Sequence, residues 1–227
     1  MCGRYVIASN DELSERFQLR QLHLDWAGTY NAAPSELLPV IVEDEGGERV
    51  LRLLRWGLVP RWQRPGSGRG IAPINARAES VLEKPMFRGL VAHRRCLVPS
   101  NGFYEWQVRD GRKQPYFACL RDEPLFAFAG LYDEPAPGSE DEPGSYTILT
   151  TYANPVMAPI HDRMPVILHE ADEAEWLSRE LTDPHPLERL FAPYPEAAME
   201  VYPVSKAVNN VRNNGPDLIR PESAALR

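Results

Sequence analysis

No stretch of the chain approaches 18 consecutive apolar residues, so no helix of it is expected to cross a membrane. The opening Met1-Cys2-Gly3-Arg4-Tyr5 is polar and lacks the apolar core of a secretory signal. Cysteine is scarce: Cys2, Cys96 and Cys119 form neither a CxxC pair nor an even set. That excludes a disulfide framework and fits a reducing cytoplasm. The five histidines show no ligand spacing, so no metal site is expected, and no cofactor motif is present. Lysine is nearly absent, with 3 residues against 22 arginines. No internal repeat is found.

Proline is abundant instead, with 22 among 227 residues, about twice the usual share. Frequent proline breaks the chain into short elements and argues against long helices. Ser9-Asn10-Asp11-Glu12 reads as a capping box opening a helix over about 11–19. Apolar and β-branched runs predict strands at 37–42, 49–54, 95–98, 103–108, 114–120, 125–131, 146–151 and 163–168. Glu45-Gly46-Gly47 and Asp110-Gly111 supply hairpin turns. Residues 172–180 read as an amphipathic helix, and 186–191 and 205–211 as short helical turns. Residues 64–70 read as a Gly-rich loop, and 134–145 as an acidic, Pro/Gly-rich surface loop. The pattern predicts an α+β fold: a single strand-dominated domain over 1–227, with curved, barrel-like antiparallel sheets and a few short helices.

The net charge of −7 hides an asymmetry. Residues 1–121 carry 18 basic and 13 acidic side chains, whereas 122–227 carry 7 and 19. Between Arg52 and Arg95 stand ten basic residues and only two acids, Glu79 and Glu83, with Trp56 and Trp62 in the same run. Arginines with interleaved aromatics suit single-stranded nucleic acid, because guanidinium forks hold phosphates and rings stack on bases. A plain compositional bias toward arginine gives the same run.

Cys2 carries the most distinctive chemistry. Removal of Met1 gives it a free α-amine beside its thiol. The amine, with a reference pKa near 8, is partly neutral at pH 7. A 1,2-aminothiol condenses with an aldehyde: the amine forms an imine, and the thiol closes a five-membered thiazolidine. An N-terminal Cys can also attack an amide with its own amine as base. The position equally suits a small buried residue with no chemistry. Glu105, between Tyr104 and Trp106, is a candidate proton shuttle or an outward carboxylate beside core aromatics. His161 can work as acid or base near pH 7, or serve structure alone. Arg163 and Arg77 can hold phosphate, and Asn75 can orient an amine or carbonyl or serve a turn.

Nine segments in order carry a family resemblance over about residues 2–220. They are Met1–Tyr5, Tyr30–Pro34, Arg55–Pro60, Ile74–Glu79, Arg95–Pro99, Gly102–Trp106, Thr150–Asn154, Ile160–Pro165 and Val204–Asn209. Together they resemble the SOS response-associated peptidase (SRAP) family. The resemblance implies an abasic-site sensor in single-stranded DNA. Cys2 would form a thiazolidine crosslink with the ring-opened deoxyribose, after self-removal of Met1 and with an AP-lyase-like side activity. It implies catalytic roles for Cys2, Asn75, Glu105 and His161, and DNA contacts for Arg4, Trp62, Arg77 and Arg163. The chain is expected to be a monomer without cofactor or metal, cytoplasmic and nucleoid-associated on damage. Gln63 and Pro85 depart from the family pattern, where some relatives carry an aromatic and a basic residue. Two other readings fit the Met-Cys-Gly start and the basic run less well: an N-terminal-nucleophile glutamine amidohydrolase and a non-covalent single-strand-binding module.

Overall fold

The computed structural model describes residues 2–8, 12–20, 26–62, 72–139 and 141–222. Thirteen strands are present among them. The first five are β1 (Tyr5–Ile7), β2 (Thr29–Ala32), β3 (Leu37–Glu43), β4 (Arg49–Trp56) and β5 (Asn75–Arg77). Next come β6 (Arg95–Ser100), β7 (Gly102–Arg109), β8 (Arg112–Leu120) and β9 (Phe126–Asp133). The last are β10 (Ser145–Tyr152), β11 (Arg163–Pro165), β12 (Ile167–Leu168) and β13 (Met199–Pro203). The α-helices are short: α1 (Leu13–Arg16), α2 (Arg88–His93) and α3 (Glu173–Leu177).

The strands form two sheets. One runs β13-β8-β7-β1-β2, all antiparallel. The other runs β11-β10-β4-β3-β6-β9-β12, and a further β10–β9 pairing bends it into a ring. Curved, strand-dominated sheets with few short helices are thus present as the sequence predicts. The sheets are not wholly antiparallel, because β10 runs parallel to both β4 and β5. A crossover of that kind has no local sequence signal, since the pairing residues lie far apart in the chain.

The hairpin at Asp110-Gly111 forms with both residues at positive φ, 51° and 71°, as a two-residue turn matching the strand twist requires. The strand expected over 163–168 is broken into β11 and β12. The helix expected over 172–180 shortens to α3, preceded by a 3-10 turn at Glu170–Asp172. The N-terminal helix shrinks to α1, and Ser9, Asn10 and Asp11 lie outside the described residues.

The core lies between the sheets. Tyr5 of β1 and Tyr146 of β10 join them through a buried 2.8 Å hydroxyl–hydroxyl hydrogen bond. Trp56 stacks on Tyr146 with centroids 6.4 Å apart, and meets the Tyr5 ring edge-on at 5.2 Å. The indole N–H of Trp56 donates to the Ile74 carbonyl at 3.0 Å. This aromatic cluster therefore fixes the backbone directly before Asn75.

Candidate functional site

Cys2 precedes β1, whose neighbours are β2 and β7. The β1–β7 register pairs Tyr5 with Phe103 and Val6 with Gly102, and the Tyr104 N–H donates to the Arg4 carbonyl at 3.0 Å. Continued one step, this register sets Glu105 opposite Gly3, next to Cys2. Alternation then puts Glu105 on the same face as Phe103, toward the main core, while Tyr104 faces the smaller cluster around Val6. Glu105 is 3% exposed. Taking a carboxylate out of water costs desolvation energy unless hydrogen bonds or opposite charge offset it.

Asn75 arrives from the other sheet. It opens β5, held parallel to β10 with Asn75 opposite Ile148. Its side-chain N–H donates to the Cys2 carbonyl at 2.8 Å. Its Oδ1 is buried and has no hydrogen-bond partner among the described residues. A buried, unsatisfied amide oxygen is costly and uncommon.

The Cys2 thiol is fully buried, with Sγ 4.0 Å from the Arg4 carbonyl oxygen. Burial pushes its pKa well above the ordinary thiol range, and the Glu105 charge pushes it further in the same direction. The thiol is therefore held protonated in this state rather than as a reactive thiolate.

Arg4 stands beside this group. Its Nη1 donates to Asn31 Oδ1 at 2.7 Å and to the Val208 carbonyl at 3.0 Å, and its guanidinium lies 5.9 Å from the Trp106 ring. Asn31 in turn donates to the carbonyls of Asn210 and Asn213 at 3.1 and 2.9 Å. Arg4 thus ties the N-terminal segment to the C-terminal one.

His161 precedes β11 on a loop linked to β7, where Gln107 donates to the Pro159 carbonyl at 2.9 Å. His161 Nδ1 accepts from the Arg163 backbone N–H at 2.9 Å and also lies 2.9 Å from an Asp162 carboxylate oxygen. The first contact needs a bare Nδ1 and the second a protonated one. The backbone N–H is a fixed donor inside the fold, whereas the Asp162 side chain is 87% exposed, so the first contact is the governing one. The neutral ring then carries its proton on Nε2.

Arg163 is buried and already engaged. It forms a fork on Glu79 at 2.7 and 2.9 Å, and reaches the Thr150 carbonyl at 2.5 Å. Arg77 is exposed, in register with Thr150. Trp62 is 70% exposed, and Gln63 beside it lies outside the described residues.

The structure therefore gathers Cys2, Asn75 and Glu105 where the two sheets meet, with Arg4 adjoining. Arg77 and Trp62 sit on the surface. The basic run is not one stripe. Arg52 forks on Glu134, Arg94 reaches Asp133 and Glu134, and Arg95 is buried on backbone carbonyls, including that of Val91 at 2.6 Å. Arg55, Arg61, Arg77, Lys84 and Arg88 remain exposed, while Arg64 and Arg69 lie outside the described residues. Sequence reasoning assigned no role to Asn31 or Glu79, though both sit inside quoted motifs; each holds an arginine, and only the fold shows which.

Known proteins resemble this chain along its whole length. A Bacillus subtilis protein named abasic site processing protein YoqW is 42% identical over 223 residues, covering 96% of this chain and 99% of its own. Escherichia coli YedK, likewise named an abasic site processing protein, is 31% identical, covering 97% of this chain and all of its own. Gallus gallus HMCES, of the same description, is 35% identical, and the match covers 85% of this chain and 66% of that protein. A crystal structure from Bacteroides thetaiotaomicron superposes with a TM-score of 0.86 at 26% identity, covering 97% of this chain and all of that one. With residues 1–211 also matching the family model, the chain belongs to the SOS response associated peptidase (SRAP) family.

Proposed function

We propose that this protein processes abasic sites in single-stranded DNA through a covalent bond to Cys2. The observation that carries the reading is the Asn75 side chain, which spans the sheet junction to hold the Cys2 carbonyl while its buried oxygen awaits a donor. Hydrolysis of the Met1–Cys2 peptide bond frees an α-amine next to that carbonyl, and the Asn75 oxygen suits one of its N–H groups. The ring-opened abasic deoxyribose presents an aldehyde. The amine attacks the aldehyde carbon, and loss of one water gives an imine. The thiol sulfur then adds to the imine carbon, and its proton passes to the nitrogen, closing the thiazolidine.

A thiol kept protonated by burial suits this order, in which the amine attacks first and the thiol second. Glu105 takes and returns protons at the sugar oxygen and at the forming ring. His161 serves as a second acid/base, and its proton donation suits lyase-like cleavage. Arg77 and Trp62, both exposed, contact the strand as cation and stacking ring. Arg4 and Arg163 act in part by fixing the site, since both are bonded within the fold.

The test is a denaturing gel after incubation with an abasic single-stranded oligonucleotide. The wild type is expected to yield a heat-stable adduct, and Cys2→Ala none, because both bonding atoms require the aminothiol. A variant that retains Met1 should fail as completely as Cys2→Ala. A stable adduct from the Met1-retaining protein would overturn the mechanism.

A further inference from the structure

A cavity lies beside the Arg163–Glu79 fork, with Glu79 in its lining. Its volume is about 520 Å³, within the roughly 300–1,000 Å³ range of small-ligand sites. Its apolar walls come from Ala78, Leu82 and Phe191. Tyr152, the last residue of β10, lines it and is 64% exposed, although the seven residues before it in the strand are all buried. The Arg163 guanidinium lies over the Tyr152 ring at 5.0 Å. The ring is thus held by a buried guanidinium while it lines the cavity.

Three carboxylates, Glu79, Glu83 and Glu188, stand on the rim with His185 and Arg189. Glu79 is taken by Arg163, Glu188 by His185 at 2.8 Å, and Arg189 by Asp172 and Glu175. A phosphate would meet carboxylates here and no uncommitted cation. A neutral planar ring with a polar edge fits: stacking on Tyr152, apolar contact below, and carboxylate oxygens to accept from ring or amino N–H groups. The cavity is also tied to the chemistry. Tyr152 pairs with Arg163 across β10–β11, and the Ala153 N–H donates to the Asp162 carbonyl at 3.0 Å, one residue from His161.

The geometry points to this cavity as the receptor for a nucleobase adjacent to the lesion, with Tyr152 as its stacking platform. The inference rests on the single-stranded DNA reading given above. It makes the protein sensitive to whether a base is present beside the abasic site, and it assigns that sensitivity to Tyr152 rather than to Trp62.

The test measures anisotropy of a labelled single-stranded oligonucleotide carrying a tetrahydrofuran abasic analogue, which binds without crosslinking. Matched oligonucleotides carry a second analogue on the 5′ or the 3′ side of the first. Removing the neighbouring base on one side should weaken wild-type binding about fivefold or more, the scale of one lost base–aromatic stack. Tyr152→Ala should weaken binding to the single-analogue strand by a similar factor and erase the difference between strands, while Tyr152→Phe should behave as wild type. Wild-type binding with equal affinities for all strands, or a Tyr152→Ala loss that is the same on every strand, would overturn the proposal and leave the Cys2 chemistry standing. A wild type that binds none of the strands would overturn both.

Discussion

At the scale of residues, the site works by holding groups in place before the reaction begins. The Asn75 amide bridges two sheets, and its worth lies in orientation. Asn75→Ala leaves the Cys2 carbonyl without its donor, and removes the buried oxygen that the proposed reaction assigns to the amine. Loss of a buried hydrogen bond of about 1–3 kcal/mol predicts roughly tenfold or greater slowing of crosslinking, measured under single turnover. Glu105→Gln keeps shape but removes the charge and the proton capacity. Crosslink formation should slow by about a hundredfold, the scale of general acid–base assistance, with binding of an uncrosslinkable abasic analogue unchanged. Equal losses in both assays would instead mark Glu105 as structural. Cys2, Asn75, Glu105 and His161 stood out in the sequence as candidates through the family resemblance, since each taken alone suited a structural role as well. Glu79 and Asn31 were not, because pairing with Arg163 and Arg4 depends on strands far apart in the chain.

At the scale of elements, one register decides the geometry. The β1–β7 pairing sets Glu105 against the Cys2 end, and Gly102 opens that pairing with φ 156°. A Cβ at Gly102 would stand 2.7 Å from the Ala118 carbonyl oxygen and overlap the Phe117 ring. Gly102→Ala should therefore destabilise by about 1–3 kcal/mol, the range for an overpacked core position, with a lower Tm by thermal melting. It should also slow crosslinking, since the strand facing Cys2 must shift. The long hairpin strands β3, β4, β7, β8, β9 and β10 were readable from apolar runs and turn residues. The short strands β1, β2, β5 and β13 and the helix α2 were not. Strands of three to five residues carry too little alternation to register, and those flanking the site keep polar residues such as Asn31 and Asn75 where a pattern would demand apolar ones.

At the scale of the whole molecule, charge does two separate jobs. Part of the arginine-rich run is structural: Arg52 and Arg94 flank the Tyr132 ring at 5.6 and 5.7 Å and converge on Glu134. The Arg52 fork holds the Glu134 carboxyl below the ordinary carboxylate range. Burial alone would raise Glu79, but the Arg163 fork, a backbone hydrogen bond and the Arg77 charge together leave it lowered. Both carboxylates are thus more acidic folded than unfolded. Their stabilisation is present above the unfolded pKa of about 4.3 and is lost as pH falls through the folded values. Thermal melting should show Tm falling below about pH 4, and Glu134→Gln should lower Tm at neutral pH while flattening that acid-side fall. Equal acid sensitivity in the variant would mean the fork contributes nothing. The bias toward arginine was plain in the sequence, but its division between internal forks and exposed cations was not, because only burial separates the two.

The central claim is that Cys2 reacts as an N-terminal aminothiol, and intact mass tests it most directly. The purified protein is weighed before and after incubation with an abasic single-stranded oligonucleotide. The account predicts a protein lacking Met1 that gains the mass of the oligonucleotide less one water. A protein that lacks Met1 yet gains nothing would contradict it.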